Sequence, residues 1–409
     1  MEFNSNVQSD YKPKNLAVKL NKIGEQHVLK GHPWVFSNSI EKISGDPKTG
    51  DLAIIFNKRK NKVIGIGLYD ADSPISIKMI YNESKKAIIN ADFFHSKIEL
   101  AYSKRFELLE TNTNSYRLLF GENDGFPSLI ADVYDSVLVV KLYSEIWLPF
   151  LETILKSLQQ VSKAKTIVIR LSRGLQKSTN HQLNDGQVVF GKLENEVVHF
   201  IEHNVNFSAN VIKGHKTGYF LDHRANRKRV GELSKNKTVL DVFSYAGGFS
   251  VHALFNGAKE VTSLDISKQA LEIAFENGKL NDYEGTHKTI AGDAFEELRN
   301  LIQQKITFDV VVIDPPSFAK QASEIDLAKK KYTQLAKLGI QLTAKKGLLV
   351  LASCSSRVVS DVFFEINEKA LKASERNFKI SSKTYHDTDH PIGFPEGAYL
   401  KCGYYRFLG

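Results

Sequence analysis

The stretch Thr238-Val-Leu-Asp-Val-Phe-Ser-Tyr-Ala-Gly-Gly248 decides the fold of the second half of this chain. Its first six residues are mostly apolar, as in a buried strand, and the glycine pair then turns the chain into a helix-forming run. A strand, a glycine turn and a helix start form a pocket whose backbone N–H groups face an anionic group. The stretch therefore predicts a ligand site at the carboxyl end of a parallel strand.

Strands and helices keep alternating after this stretch. Predicted strands cover residues 238–243, 260–265, 288–291, 308–314 and 347–353, and helical runs start near residues 248, 268, 295 and 327. This alternation is typical of βαβ units packed into a mainly parallel, doubly wound sheet. We expect an α/β fold for residues 206–409.

The first half of the chain follows a different pattern. Residues 1–90 hold short alternating strands separated by glycine, proline and asparagine turns, which is typical of a small β-barrel or sandwich. Residues 91–205 begin with a connecting amphipathic helix and continue as a mixture of strands and a helical run from Trp147 to Gln160. The 409 residues exceed the roughly 250–300 at which one core stops growing. We therefore predict three domains, with boundaries at 1–90, 91–205 and 206–409.

The charge of the chain points to a polyanionic partner. The formal net charge is +9, and residues 1–90 contribute fourteen Lys and Arg against nine Asp and Glu. Such an excess favours contact with nucleic acid through the N-terminal part, although an incidental basic surface is the alternative. No run approaches the ~20 apolar residues that span a bilayer, and the first residues lack a secretory pattern. Two cysteines without metal-ligand spacing predict a reducing cytoplasm and no metal site.

The spacing around the glycine pair favours a cofactor that carries a nucleoside. Asp265 ends the next predicted strand, where a carboxylate can bind ribose hydroxyls, and the dinucleotide fingerprint G-x-G-x-x-G is absent. S-adenosylmethionine has no pyrophosphate to bind, so it fits this loop better than a nicotinamide dinucleotide. A plain tight turn is the alternative for the glycines. The predicted cofactor residues here are Asp241, Phe243, Ser244, Tyr245, Gly247, Asp265 and Asp293.

A proline-rich loop follows the fourth predicted strand. In Asp314-Pro-Pro-Ser-Phe318 a buried strand delivers one carboxylate to the sheet edge, and two prolines hold the next residues extended. Such a loop can place a planar base beside the cofactor. The alternative is a rigid turn capped by Asp314.

The fifth predicted strand ends in Ser353-Cys-Ser-Ser356. A single cysteine is most often a small buried hydrophobe, but Cys354 lies outside the apolar run, at the sheet edge where α/β enzymes bind ligands. A thiolate that adds to carbon 6 of a pyrimidine activates carbon 5 towards methylation, whereas exocyclic nitrogens need no such help. Cys354 is therefore a candidate nucleophile, and Asp314 could hold the ring nitrogen or the amine. Cys402, inside an alternating strand, is predicted to be structural.

Several segments together resemble the bacterial large-subunit ribosomal RNA cytosine-5 methyltransferases, a family with a PUA domain, a middle α+β domain and a class I (Rossmann-like) methyltransferase domain. The matching segments are Gly31-His-Pro-Trp-Val-Phe-Ser37, Tyr116-Arg-Leu, Gly121-Glu-Asn-Asp-Gly-Phe-Pro127, Gly214-His-Lys-Thr-Gly-Tyr-Phe-Leu-Asp-His-Arg224, Asp314-Pro-Pro-Ser-Phe318, Ser353-Cys-Ser355 and Pro395-Glu-Gly-Ala-Tyr-Leu-Lys401. The resemblance implies that 214–224 covers the cofactor with Lys216, Phe220 and Arg224 nearby. A basic interdomain loop is the alternative.

The resemblance also implies a function. We expect a cytoplasmic S-adenosylmethionine-dependent enzyme that flips a cytosine out of large-subunit ribosomal RNA and methylates carbon 5. The lack of a long apolar run predicts no membrane partner, and a homodimer is among the expected oligomeric states. Relatives that methylate guanine share the Asp-Pro-Pro-x-Phe motif, so a guanine-nitrogen methyltransferase is one rival function. A non-catalytic RNA-binding assembly factor that retains the cofactor pocket is the other.

Overall fold

The computed structural model describes residues 3–83 and 87–409; residues 1, 2 and 84–86, which belong to the predicted first domain, lie outside it. The chain divides into two compact units. The first unit comprises the residues up to Ile201 together with Ser208–Leu221 and Thr388–Phe394. The second comprises Glu202–Phe207, Asp222–Asp387 and Pro395–Gly409. The three predicted domain boundaries stay predictions, because compactness alone divides the chain into two.

The N-terminal part of the first unit is a six-stranded sheet in the order β2-β6-β5-β4-β1-β3, with one short helix. Strand β1 alternates exposed and buried residues, so its apolar side chains point to one face, as the alternating sequence predicts. Most neighbours are antiparallel, but β1 and β4 run parallel. The elements are β1 (Asn15–Leu20), α1 (Lys22–Leu29), β2 (Trp34–Val35), β3 (Ile40–Ile43), β4 (Leu52–Phe56), β5 (Val63–Tyr69) and β6 (Ile77–Tyr81).

The rest of the first unit is built on a five-stranded sheet in the order β11-β10-β9-β8-β7. Its elements are α2 (Ala91–Ser103), α3 (Phe106–Leu109), β7 (Ser115–Phe120), β8 (Leu129–Tyr134), β9 (Val137–Leu142), α4 (Leu151–Ser162), β10 (Thr166–Leu171) and β11 (Gln187–Phe190). The predicted connecting helix is split after Ser103, where the buried Arg105 turns to bind Asp124 at 2.6 Å. Helix α4 begins later than predicted because a tighter helical turn that contains Pro149 precedes it.

Two further strands, β12 (Val197–Glu202) and β13 (Val205–Asn210), form a sheet of their own. The sequence assigned residues 197–201 to the middle module together with 187–190. Both segments are strands of the first unit up to Ile201; β11 pairs with β10, whereas β12 pairs with β13 through the hairpin turn at residues 203 and 204.

The second unit contains a seven-stranded sheet in the order β16-β15-β14-β17-β18-β20-β19, and confirms the predicted doubly wound architecture. The first five strands in this order are parallel, while β20 is antiparallel to both of its neighbours. The elements are α5 (Arg224–Glu232), β14 (Thr238–Val242), α6 (Gly248–Phe255), β15 (Glu260–Asp265), α7 (Lys268–Lys279), β16 (Thr286–Ala291), α8 (Ala294–Gln303), β17 (Phe308–Ile313), α9 (Ile325–Leu342), β18 (Thr343–Ser353), α10 (Ser360–Lys372), β19 (Phe378–Thr384) and β20 (Lys401–Phe407).

The sheet order fixes where a ligand can bind. The chain runs outward from β14 to β15 and β16, then returns to β17 on the other side of β14. At such a reversal the loops after the two central strands leave in opposite directions and open a crevice at their carboxyl ends. The loop after β14 and the loop that begins at Asp314 therefore flank one crevice. Within residues 3–83 and 87–409, no helix combines the length and the apolar composition needed to cross a membrane.

Candidate cofactor and catalytic site

The loop after β14 has an unusual backbone. Phe243, Tyr245 and Gly247 have φ angles of 63°, 48° and 76°, all in the left-handed region. Non-glycine residues adopt this region at a cost, and such residues concentrate at functional sites. A Cβ atom on Gly247 would lie 2.7 Å from the Cβ of Ala274, so this position also needs glycine for space. Gly247 is therefore required both by the conformation of this turn and by its packing against α7.

Hydrogen bonds hold this loop against the next strand. The backbone N–H of Ser244 donates to Leu264 (3.1 Å) and that of Tyr245 donates to Oδ2 of Asp265 (3.0 Å). The other carboxylate oxygen of Asp265 accepts from Ser267 at 2.9 Å. Each carboxylate oxygen has a second lone pair, so Asp265 can still accept from ligand hydroxyls. The structure thus brings Asp265 to the loop, as the spacing predicted.

Asp241 is a buried carboxyl group beneath the loop. Its Oδ2 accepts from both the N–H (3.0 Å) and the hydroxyl (2.7 Å) of Ser250 on α6. Its Oδ1 is buried without a hydrogen-bond partner among the described residues, and so is the hydroxyl of Ser244. Burial raises the pKa of Asp241 to about 7, against the two bonds from Ser250.

Oδ1 of Asp241 and the hydroxyl of Ser244 indicate whether the loop fits a cofactor. A buried polar atom without a partner costs about 1–3 kcal/mol, which a bound ligand with suitable donors would recover. S-adenosylmethionine carries an ammonium group and ribose hydroxyls, and both can donate. The residues that are present therefore fit this cofactor.

Four other predicted cofactor residues make contacts that do not involve the loop after β14. Asp293 is exposed and caps α8, where its side chain accepts from the N–H of Glu296 at 3.1 Å. Arg224 is fully buried and lies 3.3 Å from a carboxylate oxygen of Asp387. Lys216 and Phe220 belong to the first unit, with the Lys216 ammonium 4.9 Å from the Phe220 ring centre. A cofactor contact by these four residues stays a prediction.

Asp314 follows β17 and has a partner that the sequence analysis did not identify. Nε2 of His223 lies 3.3 Å from Oδ1 of Asp314, and Nδ1 of His223 lies 3.1 Å from the Asn226 amide. Burial acts to lower the pKa of His223, but the Asp314 carboxylate outweighs it and the net pKa is raised. His223 stands one position before Arg224 in the motif already singled out, and only the fold shows that it meets Asp314.

Cys354 follows β18, and its Sγ lies 3.9 Å from the carbonyl oxygen of Pro315. The loop after β18 is therefore in contact with the Asp-Pro-Pro loop after β17. Tyr332 on α9 accepts from the hydroxyl of Ser353 at 2.9 Å. Burial, together with the charges of Cys354 and Asp314, raises the pKa of Tyr332 to about 12. Cys354 and Asp314 thus share one site.

The two cysteines differ sharply in their surroundings. Cys354 is half-buried, whereas Cys402 is fully buried in β20 opposite Ala352. Burial raises the pKa of the Cys402 thiol well above its usual range. A thiol held in this protonated form is a poor nucleophile. Within residues 3–83 and 87–409, no cluster of three or more His, Cys, Asp or Glu residues could hold a metal ion.

Comparisons with known proteins identify the family of this chain. A family described as S-adenosylmethionine-dependent methyltransferase matches residues 116–392, and a PUA-like domain family matches residues 18–82. The chain is 37% identical to a Deinococcus radiodurans protein named ribosomal RNA large subunit methyltransferase, over 95% of this chain and 96% of that protein. It is 33% identical to ribosomal RNA large subunit methyltransferase I of Aeromonas salmonicida, over 92% and 96% of the two chains.

Solved structures support the fold. A Streptococcus mutans protein described as a SAM-dependent methyltransferase superposes with a TM-score of 0.80 at 20% identity, over 95% of this chain and 99% of its own. A second structure, described as a methyltransferase complexed with SAH, gives a TM-score of 0.80 over 96% and 100% of the chains. The predicted class I fold, the N-terminal PUA-like domain and the cofactor are confirmed. The chain belongs to the S-adenosylmethionine-dependent methyltransferase family, with a PUA-like domain at its N-terminal end and S-adenosylmethionine as its cofactor.

Proposed function

We propose that this protein methylates carbon 5 of a cytosine in large-subunit ribosomal RNA through a covalent adduct with Cys354. The observation that carries the proposal is the position of the Cys354 thiol, 3.9 Å from the Pro315 carbonyl and in the same site as Asp314. The names of the relatives support ribosomal RNA as the substrate. A cytoplasmic location belongs to the same proposal, and a homodimer stays a prediction.

The Cys354 thiol would activate carbon 5 of cytosine for methylation. Carbon 5 of cytosine is a weak nucleophile, and a thiolate that bonds to carbon 6 pushes the C5–C6 π electrons onto carbon 5. Carbon 5 would then take the methyl group, and the sulfonium S–CH3 bond would break with its electron pair going to sulfur, which leaves S-adenosylhomocysteine. Transfer of the carbon-5 proton to a base, with water as the acceptor that needs no further residue, returns the C–H bonding electrons to the C5–C6 double bond, and the C6–S bond breaks to release the Cys354 thiolate. The thiol is therefore regenerated in each cycle.

Asp314 has the complementary task on the ring. A carboxylate at the end of β17 can accept from the exocyclic amine or from a protonated ring nitrogen, which stabilises the electrons that the adduct pushes into the ring. Nε2 of His223, at 3.3 Å from Oδ1 of Asp314, would attract this carboxylate when the imidazole is protonated. The two prolines that follow keep the loop extended, so that a flipped base has a planar wall to lie against.

The loop after β14 would hold the cofactor. Asp241 and Ser244 offer buried acceptors without a partner, and Asp265 offers free lone pairs for ribose hydroxyls. Bound there, S-adenosylmethionine supplies an electrophilic methyl group. The substrate loops after β17 and β18 lie across the switch point from this loop, which supports transfer between the two sides.

The N-terminal sheet would serve RNA binding. Residues 1–90 carry five of the nine net positive charges, and the PUA-like match covers most of this segment. Double-stranded RNA is read mainly through its backbone and shape, for which positive charge suffices. Sequence selection would then come from the flipped base at the catalytic site.

A covalent trap tests the mechanism. Large-subunit ribosomal RNA transcribed with 5-fluorocytidine should form a stable adduct with the wild-type protein, because fluorine cannot leave carbon 5 as a proton does. Cys354→Ala should lose both the adduct and turnover, whereas Cys402→Ala should lose neither. Cofactor binding should be unchanged in Cys354→Ala, because the thiol acts on the base.

The two rival functions predict other results. A guanine-nitrogen methyltransferase would give no adduct and a largely active Cys354→Ala protein. A non-catalytic RNA-binding factor would transfer no radiolabel from S-adenosylmethionine to the RNA at all. Either outcome would refute the carbon-5 proposal, and the second would also refute catalysis.

A further inference from the structure

Lys401 is a buried lysine at the start of β20, with 1% of its surface exposed. In the antiparallel pairing of β18 and β20 it lies opposite Ser353, the residue before Cys354. A buried ammonium group is costly unless its protons are bound, so the position of its partners is informative. The proposed mechanism gives no task to this residue.

All three ammonium protons of Lys401 have backbone partners near the thiol. Nζ donates to the carbonyls of Ser355, Val358 (2.5 Å) and Tyr399 (3.1 Å). An ammonium has three donors, so these bonds use its full capacity. Two of the three acceptors lie in the loop that follows Cys354. The Lys401 side chain therefore fixes the backbone of the loop that immediately follows Cys354.

The charge of Lys401 also acts on the thiol. Its three partners are neutral carbonyls, so its charge remains available to neighbouring groups. Burial lowers the pKa of Lys401 to about 8, and the charge of Cys354 acts in the opposite direction. Electrostatic interaction is mutual, so an ammonium that is stabilised by the thiolate stabilises the thiolate in return.

Other titratable groups near Cys354 act differently. Asp314 precedes Pro315, whose carbonyl contacts the thiol, and its negative charge disfavours a thiolate. Tyr332 on α9 stays neutral at pH 7, because burial raises its pKa to about 12. Lys401 supplies positive charge from β20 and opposes the effect of Asp314.

We infer that Lys401 is a positioning residue for Cys354, which fixes the loop after the thiol and favours its thiolate form. The catalytic meaning of this assignment rests on the proposed function, but the effect on the thiol does not. A lower thiol pKa raises the fraction of nucleophile at neutral pH.

The test measures the thiol directly, without RNA. Iodoacetamide alkylation of Cys354 in the full chain is followed across pH by mass spectrometry of the peptide that contains it. In Lys401→Met, the pH at which the alkylation rate of Cys354 is half its maximum (the alkylation midpoint) should rise by about one pH unit. The alkylation rate at pH 7 should fall about tenfold. In Lys401→Arg, which keeps the charge, the midpoint should stay closer to that of the wild type.

A control variant shows whether the effect on Cys354 is specific to the charge of Lys401 or follows the loss of any such lysine. Lys97 on α2 is half-buried, donates to the Ile80 carbonyl at 2.6 Å, and has a pKa lowered to about 8 by burial. It belongs to the first unit. Lys97→Met should leave the alkylation midpoint of Cys354 unchanged. An equal shift in Lys97→Met would overturn the assignment, as would a wild-type midpoint in folded Lys401→Met.

A second variant covers the case in which Lys401→Met fails to fold, as judged by thermal melting. Lys401→Gln keeps two N–H donors and removes the charge, so its midpoint should exceed that of Lys401→Arg. Equal midpoints in these two variants would overturn the inference. Turnover of Lys401→Gln should fall in kcat at pH 7 and recover at higher pH, with KM for S-adenosylmethionine unchanged. An active Cys354→Ala enzyme would refute the proposed function and leave the alkylation comparison intact.

Discussion

Replacing Asp241 with Asn should stabilise the cofactor-free protein at pH 8 and weaken cofactor binding. Burial holds the folded-state pKa of this carboxyl group near 7, against an ordinary value of 3.8. The folded state therefore binds a proton that the unfolded state releases between these pH values, so Asp241 destabilises the fold progressively as pH rises from about 4 to 7. At 1.36 kcal/mol for each pH unit, the cost at pH 8 is on the order of 4 kcal/mol at most.

Asparagine avoids this cost because its amide is neutral at every pH. Its oxygen can accept both hydrogen bonds from Ser250, as Oδ2 of Asp241 does. Thermal melting should therefore show Asp241→Asn several degrees more stable than the wild type at pH 8, with the difference largely lost at pH 5. Calorimetry with S-adenosylmethionine should show a loss of about tenfold to a hundredfold, as expected for a lost charge-assisted bond to an ammonium.

The control is Asp326→Asn, which makes the same chemical change at a side chain that is 89% exposed on α9. Neither its melting temperature nor its cofactor affinity should respond to pH differently from the wild type. A stability gain in Asp241→Asn that is equal at pH 5 and pH 8 would refute the argument from the buried charge. Unchanged cofactor affinity would remove Asp241 from the site.

Three further predictions concern other parts of the molecule. Asp265→Ala should weaken S-adenosylmethionine binding by about 1.5–3 kcal/mol for each charge-assisted bond lost, and calorimetry that finds no loss would exclude a ribose contact. His223→Phe should lower kcat while cofactor affinity stays near that of the wild type, because it leaves Asp314 without its partner at 3.3 Å; wild-type turnover would show that the pair is only structural. Replacing the exposed Arg59 and Lys60 with Gln should lower the salt slope of RNA binding by about two, measured by filter binding at several salt concentrations, and an unchanged slope would exclude this turn from the interface.

Much of the second unit was predictable because its strands are buried on both faces. Runs such as Phe308–Ile313 are nearly continuous in apolar residues, and the glycine turn and carboxylates mark their ends. The sequence did not predict β19, since Phe378–Thr384 is mostly polar and lies at the edge of the sheet. Nor did it predict α5, whose buried face contains Arg224, Asn226 and Arg227 instead of an apolar stripe.

The candidate site was predictable only in part. Residues that stand at the ends of consecutive strands, such as Asp265 and Cys354, can be located from the strand order alone. His223 and Lys401 cannot, because each acts through a contact between elements that are distant in the sequence. His223 meets Asp314, and Lys401 meets the carbonyls of the loop after Cys354. A local pattern carries no signal of such pairing.

The order of strands in the sheet has a consequence for how such an enzyme can change during evolution. The cofactor loop follows β14, whereas the aspartate and the thiol follow β17 and β18 on the other side of the switch point. Under the proposed function, the groups that act on the base can therefore be exchanged while the loop that holds the methyl donor stays the same. Under the proposed function, loss of the thiol at Cys354 would end carbon-5 methylation while the fold and the cofactor loop persist. The choice of target atom and the binding of the methyl donor thus depend on loops on opposite sides of one switch point.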